Sequence, residues 1–199
     1  MRPLKHNEFT RRGILRGLAA LPFVGLFARL GQAGTLELTP EIPDDDEPTP
    51  SQTEGPFYKR STPKRTSLRE KGFEGKALVV EGNVVDTKGK PVAGALLDFW
   101  HCDAEGDYDN AGFKGRGHQF ADADGKFKLE TIVPGEYPGR TRHIHVRVQP
   151  PNGRILTTQL YFPGEARNDR DGIYDKRLLM KMKEAEGARQ GQFRFVVAL

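Results

Sequence analysis

From Ala77 onward, apolar residues alternate with polar ones or gather in short runs, and turn-forming residues interrupt them at short intervals. Ala77-Leu78-Val79-Val80-Glu81-Gly82-Asn83-Val84-Val85 is rich in β-branched residues and predicts a strand. Asp86-Thr87-Lys88-Gly89-Lys90-Pro91 then turns the chain. Further strands are expected over 95–101, 126–132, 142–149, 155–162 and 192–199. Asp122-Ala123-Asp124-Gly125 carries a hairpin signal, and Pro134-Gly135 marks another turn. Residues 175–186 are expected to hold a short surface helix around Leu178, Leu179 and Met182. Short strands at this spacing predict an all-β fold, a β-sandwich.

The N-terminal 45 residues read differently. Thr10-Arg11-Arg12-Gly13-Ile14-Leu15-Arg16 resembles the twin-arginine export pattern, and an apolar stretch follows from Gly17 to Leu30, broken by Arg29. It is too short for a comfortable membrane span, so no stable span is expected once the signal is removed. Gly31-Gln32-Ala33 offers small residues for a signal peptidase, so residues 1–33 are expected to be a cleaved signal and the body to be periplasmic or extracellular. Residues 34–52 are acidic and Pro-rich, which predicts an extended, solvated linker, with the folded body starting near Thr49. Charge follows this division. The whole chain carries +4, but removing residues 1–33 leaves 25 basic and 26 acidic residues, a net charge of −1. A nucleic-acid role therefore loses its compositional support. The single cysteine, Cys102, excludes an internal disulfide and a cysteine-based zinc cluster.

The candidate chemistry lies in His143-Ile144-His145-Val146-Arg147-Val148. In a strand, His143, His145 and Arg147 share one face, and Ile144, Val146 and Val148 face the core. Two imidazoles at this spacing either sit on a polar outer face or converge on one metal ion. Tyr108 and Tyr137, each in a Gly-containing loop, are further candidate donors. A bound trivalent cation can hold a phenol, with its ordinary pKa near 10, as a phenolate. Two hard phenolate oxygens with two imidazoles favour ferric iron.

Several ordered pieces then match a known family. They are Thr53-Glu54-Gly55-Pro56-Phe57-Tyr58, the segment 100–108, Arg116-Gly117-His118-Gln119-Phe120-Ala121-Asp122, Pro134-Gly135-Glu136-Tyr137, Arg140-Thr141-Arg142-His143-Ile144-His145, and Gln159-Leu160-Tyr161-Phe162. With these pieces the chain resembles the intradiol ring-cleavage dioxygenases, catechol and protocatechuate dioxygenases, over residues 49–199. The resemblance implies one non-haem iron(III) per chain, bound by Tyr108, Tyr137, His143 and His145. Arg140 matches the family's active-site arginine and Gln159 its glutamine beside the site. Tyr137 matches the axial tyrosine that leaves on substrate binding and acts as base. The implied reaction inserts both atoms of O2 into a catechol-type ring and opens it to a cis,cis-muconate-type diacid. Arg116 and Arg142 are candidates for a substrate carboxylate.

The chain departs from better-known members in two places. Only five residues separate Tyr137 from His143, and the helical dimerisation segment of the catechol-specific branch is missing, which leaves open a monomer or a homo-oligomer. Residues 79–137 also resemble non-catalytic prealbumin-like sandwiches, whose pattern is one of turns and core residues and carries no chemistry. A binding module without metal, and a hydrolase or oxidase using another metal, therefore remain as alternatives. Neither predicts Tyr108, Arg140, His143, His145 and Gln159 together.

Overall fold

A computed structural model describes residues 46–185 and 187–199. The proposed signal, 1–33, and most of the linker lie outside the described residues. The body consists of eight strands, β1 (Ala77–Asp86), β2 (Leu96–Trp100), β3 (Arg116–Phe120), β4 (Lys126–Ile132), β5 (His143–Gln149), β6 (Leu156–Tyr161), β7 (Lys181–Ala185) and β8 (Ala188–Val197). They form two four-stranded sheets, ordered β4-β1-β8-β7 and β3-β2-β5-β6. The described residues contain no α-helix and two 3-10 turns, Asn168–Arg170 and Lys176–Leu178. The all-β sandwich read from the sequence is the fold observed.

The sheets enclose one core. Leu78, Val80 and Val84 of β1, Leu97 and Phe99 of β2, Leu129 of β4, Ile144, Val146 and Val148 of β5, and Phe195 of β8 are all fully buried in it. Each such side chain contributes about 1.5–3 kcal/mol relative to an exposed one. Strands β1 and β8 pair in parallel from Leu78↔Arg189 to Asp86↔Val197, so the start of the body is stitched to its end.

Three local expectations are corrected. Where a surface helix was expected over 175–186, the described residues 175–185 form a 3-10 turn and strand β7. Leu178 and Met180 are buried and Met182 half-buried, which is a period of two that suits an edge strand. The turn at Asp122–Gly125 forms, with Gly125 N donating to Asp122 O, but it makes no hairpin. Its flanking strands β3 and β4 belong to different sheets, so the turn carries the chain across the sandwich. Strand β3 was not anticipated, because Arg-Gly-His-Gln-Phe shows no apolar alternation.

The outer face of the β3-β2-β5-β6 sheet positions the candidate site. Facing residues on antiparallel neighbours project to the same side. The register therefore aligns Arg116, Trp100, His145 and Gln159 in one row, and pairs His143 with Tyr161 beside it. This face is covered. The N-terminal arm begins at Thr49, whose N–H donates to Val196 O, and crosses β6, where Gln52 N donates to Thr157 O and Thr158 Oγ1 to Pro50 O. Gly55 then lies over the His145 ring on β5. On β2, Tyr58 and Thr62 donate to the Asp98 carboxylate at 3.2 and 2.7 Å. At β3, Arg65 N donates to His118 O. Residues 46–52, read as the end of a solvated linker, thus run hydrogen-bonded along the body.

Candidate metal centre

His143 and His145 are only 4% and 3% exposed, so the face that could have been a solvated one is sealed by the arm. Their Nε2 atoms lie 3.1 Å apart. His143 Nδ1 donates to Thr141 O at 2.6 Å, which leaves its Nε2 without a proton and free to bind. Trp100 stacks on His145 with ring centroids 4.8 Å apart and planes within 6°. His145 Nδ1 has no partner among the described residues, so stacking and the arm hold this ring rather than a hydrogen bond. Burial lowers the His143 pKa to about 4 and that of His145 well below its ordinary value, so both rings are neutral donors at physiological pH.

The two candidate tyrosines stand on loops that touch. Gly135 N donates to Asp103 O at 2.7 Å, locking the segment after β4 to the loop after β2. Gly106, at φ +98°, packs against the backbone of Glu136, where a Cβ would meet the carbonyl oxygen at 2.5 Å. Only glycine allows that approach. The ring centroids of Tyr108 and Tyr137 are consequently 5.9 Å apart, edge to face. Phe57 of the arm stacks on Tyr108 at 4.2 Å and meets the edge of Tyr137 at 5.3 Å. Burial pushes the Tyr108 phenol well above its ordinary value, and the adjacent Arg116 and Arg140 charges pull the other way.

Arg140 and Gln159 form a network next to His143. Arg140 Nη2 donates to Gln159 Oε1 at 2.7 Å, and its Nε donates to Asp171 Oδ2 at 2.9 Å. Gln159 Nε2 donates to Thr53 O of the arm at 3.0 Å, and the Tyr161 hydroxyl donates to Gln159 Oε1 at 2.9 Å. The remaining described histidines are occupied. Both ring nitrogens of His101 are hydrogen-bonded, to Cys102 O and Thr131 Oγ1, and His118 Nδ1 faces Thr62. His6 lies outside the described residues.

The donor set fits a hard trivalent ion. Two nitrogens each about 2.1 Å from one first-row ion, at a right angle to it, stand about 3.0 Å apart, close to the 3.1 Å between the two Nε2 atoms. Neutral imidazoles and oxygen donors suit iron(III), and no His, Cys, Asp or Glu cluster among the described residues offers a rival site.

Two of the sequence candidates take other roles. Arg116 is fully buried, with Nη1 donating to Phe57 O at 2.5 Å and Nη2 to Asp109 O at 3.3 Å, and its guanidinium lies 5.7 Å from the Tyr108 ring centre. It braces the arm and the Tyr108 loop. Arg142 pairs with Glu165 at 3.1 Å and donates to Pro134 O. Sequence reasoning missed Asp171 and underrated Phe57. Asp171 sits in a polar run that reads as an ordinary loop, whereas Phe57 lay inside a motif already noticed.

Comparison with known proteins places the fold and the family. The structure superimposes with TM-score 0.75 on the dioxygenase domain of a dioxygenase carbohydrate-binding protein fusion from Streptomyces sp. SirexAA-E, at 54% identity over 77% of this chain and 99% of that one. It superimposes on 3-chlorocatechol 1,2-dioxygenase of Rhodococcus opacus 1CP with TM-score 0.71, at 26% identity over 77% of this chain and 74% of that one. In sequence it is 28% identical to 6-chlorohydroxyquinol 1,2-dioxygenase of Cupriavidus pinatubonensis, over 72% of this chain and 62% of that protein. The chain thus spans less than two thirds of that curated relative. A dioxygenase family profile, Dioxygenase_C, matches residues 53–197, from the arm to the last strand, and the chain belongs to that family.

Proposed function

We propose that this chain is a non-haem iron(III) dioxygenase that opens a catechol-type ring between its two hydroxyl-bearing carbons, giving a cis,cis-muconate-type diacid. The observation that carries the reading is the pair of buried, neutral imidazoles with Nε2 atoms 3.1 Å apart; two phenols brought together by glycine-locked loops, both in contact with Phe57 of the arm that covers His145, supply the further donors. Relatives named 1,2-dioxygenases of catechol, chlorocatechol and hydroxyquinol support the substrate class.

Tyr108, Tyr137, His143 and His145 would hold the iron. When bound, iron(III) supplies a Lewis acid that favours deprotonated oxygen donors and readies a catechol for attack by O2. The two tyrosines are held unequally. Phe57 stacks on Tyr108 and Arg116 lies over it, while Tyr137 meets both Phe57 and Tyr108 edge to face, on a loop between Pro134-Gly135 and Pro138-Gly139. Tyr137 is therefore the one able to swing out, and its phenolate oxygen takes a proton from a catechol hydroxyl. Arg140 places a cation where negative charge grows on the substrate oxygens, and a preorganised cation in a dry site contributes a few kcal/mol. Gln159 fixes the Arg140 fork, and Phe57 with the arm excludes water.

The test is the visible spectrum and iron content of the purified protein, before and after catechol is added without oxygen. A tyrosinate-to-iron band that shifts with catechol, with about one iron per chain, is expected, and Tyr108→Phe should weaken it. A colourless protein that stays iron-free after reconstitution would return the chain to the binding-module reading. We further propose export by the twin-arginine route to the periplasm or beyond, from the pattern at Arg11-Arg12. Cell fractionation of an Arg11→Lys, Arg12→Lys variant should find it retained in the cytoplasm; unchanged export would exclude the route.

A further inference from the structure

The loop that follows β6 carries the 3-10 turn Asn168–Arg170 and, just after it, one of the most buried carboxylates in the body. The Asp171 side chain is 2% exposed. Its Oδ2 accepts two hydrogen bonds, from Arg140 Nε and from Thr141 N, both at 2.9 Å. Its Oδ1 accepts from Ile173 N at 3.2 Å. Burial alone would raise this carboxyl, but the bonds from Thr141, Ile173 and Arg140 outweigh burial and hold it below its ordinary value.

We propose that Asp171 is a positioning residue that fixes the Arg140 guanidinium and the His143 ring relative to each other. The inference rests on reading the site as an iron centre. The geometry runs in two branches from one oxygen atom. In the first, Oδ2 takes Arg140 Nε while Gln159 and Tyr161 engage Nη2 at 2.7 and 3.4 Å. One edge of the fork is thereby anchored, and Nη1 has no partner among the described residues. That leaves Nη1 as the edge presented to substrate.

In the second branch, Oδ2 takes the N–H of Thr141, and the carbonyl of the same residue accepts from His143 Nδ1 at 2.6 Å. Thr141 Oγ1 is held in turn by Asn168 Oδ1 at 2.7 Å, and Asn168 Nδ2 by Phe162 O at 2.9 Å. The loop therefore grips Thr141 on two sides. Hydrogen bonds on the far nitrogen of a metal-bound imidazole fix its tautomer and direction. Asp171 touches neither substrate nor metal, and acts through Arg140 and Thr141.

Asparagine at 171 has the same shape but one acceptor oxygen, and its amide would meet a donor where the carboxylate met one. Asp171→Asn should therefore lower kcat for catechol by about tenfold or more while KM moves by less than about threefold, the pattern of lost transition-state positioning. It should also speed transfer of iron to a chelator by about tenfold, in line with the loss expected on removing an outer partner of a ligand. Arg140→Lys, which leaves the Thr141 bond intact, should reduce turnover without speeding iron release.

A merely structural role would lower the melting temperature but leave turnover per bound iron and iron release at the unsubstituted values, and that result overturns the proposal. If Asp171→Asn does not fold, the unsubstituted protein decides the matter. Its Arg140 Nε–H, assigned by its loss in Arg140→Lys, should exchange slowly with solvent, and solvent-like exchange overturns the clamp. An unsubstituted protein that binds no iron removes the underlying reading and this inference with it. An iron-loaded, active protein with an unaffected Asp171→Asn variant removes this inference alone.

Discussion

Replacing Gly135 with alanine should force the two tyrosine loops apart. A Cβ at 135 would stand 2.5 Å from both the carbonyl oxygen of Ala104 and the amide nitrogen of Gly106, whereas ordinary contact begins at 3.4 Å. Both obstacles are backbone, so no side chain can rotate away, and the loops must part by about 0.9 Å, the difference between those distances. Tyr137 follows Gly135 by two residues and Tyr108 follows Gly106 by two, so the displacement passes directly to the two phenols. A misplacement of about 1 Å at a reacting centre costs on the order of 100-fold in rate, and overpacking costs about 1–3 kcal/mol of stability. The assay is catechol ring opening followed by ultraviolet absorbance, with the visible iron band and thermal melting recorded on the same preparation. Gly139→Ala is the control. Its φ is +81° with nothing within 4 Å of the added methyl, so it should cost roughly 1–2 kcal/mol of backbone strain and leave the band in place. A Gly135→Ala protein with unaltered band and turnover would refute the reasoning, as would equal damage from Gly139→Ala.

Arg140→Ala should retain iron and lose most turnover; retained turnover removes Arg140 from the reaction. Arg116→Gln should destabilise the protein by roughly 2–4 kcal/mol, because the Phe57 and Asp109 carbonyls lose a buried charged donor, and denaturant titration measures it. The iron-free protein should lose stability on acidification. His101 and His143 have folded pKa values lowered to about 4, and burial holds His145 well below its ordinary value, against an unfolded value near 6.5. Below pH 6.5 the unfolded chain therefore binds more protons than the folded one. Their contribution is complete above pH 6.5 and declines toward pH 4, by up to about 1.4 kcal/mol per pH unit for each ring. A melting temperature unchanged between pH 7 and pH 5 would contradict this.

Strands with a regular apolar period were legible from sequence, because their burial is one-sided or complete. Strand β5 shows this best, with Ile144, Val146 and Val148 all in the core as the alternation requires. Strand β3 was illegible because its outward residues are sheltered by the arm rather than by the core, so polar Arg116 and His118 stand where apolar residues would have signalled a strand. The expected helix at 175–186 failed because Leu179 obscured the period of two in Leu178, Met180 and Met182. At the site, the candidate histidines, tyrosines, arginine and glutamine were found through a resemblance in ordered motifs, and the structure brings His143, His145, Arg140 and Gln159 into one network and Tyr108 and Tyr137 into another. What holds them was not visible. Asp171 acts across a chain separation of about thirty residues through a polar loop, and no local pattern encodes such a contact.

The arm also imposes an order of events. Its first anchor joins Thr49 N to Val196 O, and Val196 N returns a hydrogen bond to the Thr49 hydroxyl at 2.8 Å. The arm is thus made before every strand it crosses, and its first anchor cannot be fastened until β8 has been made. Contacts between such distant parts of a chain form late and slowly, since loop closure must come first. The arm therefore lacks that anchor until Val196 has been added. A truncation that removes Val196 would free the Thr49 end of the arm without removing a single group from the site.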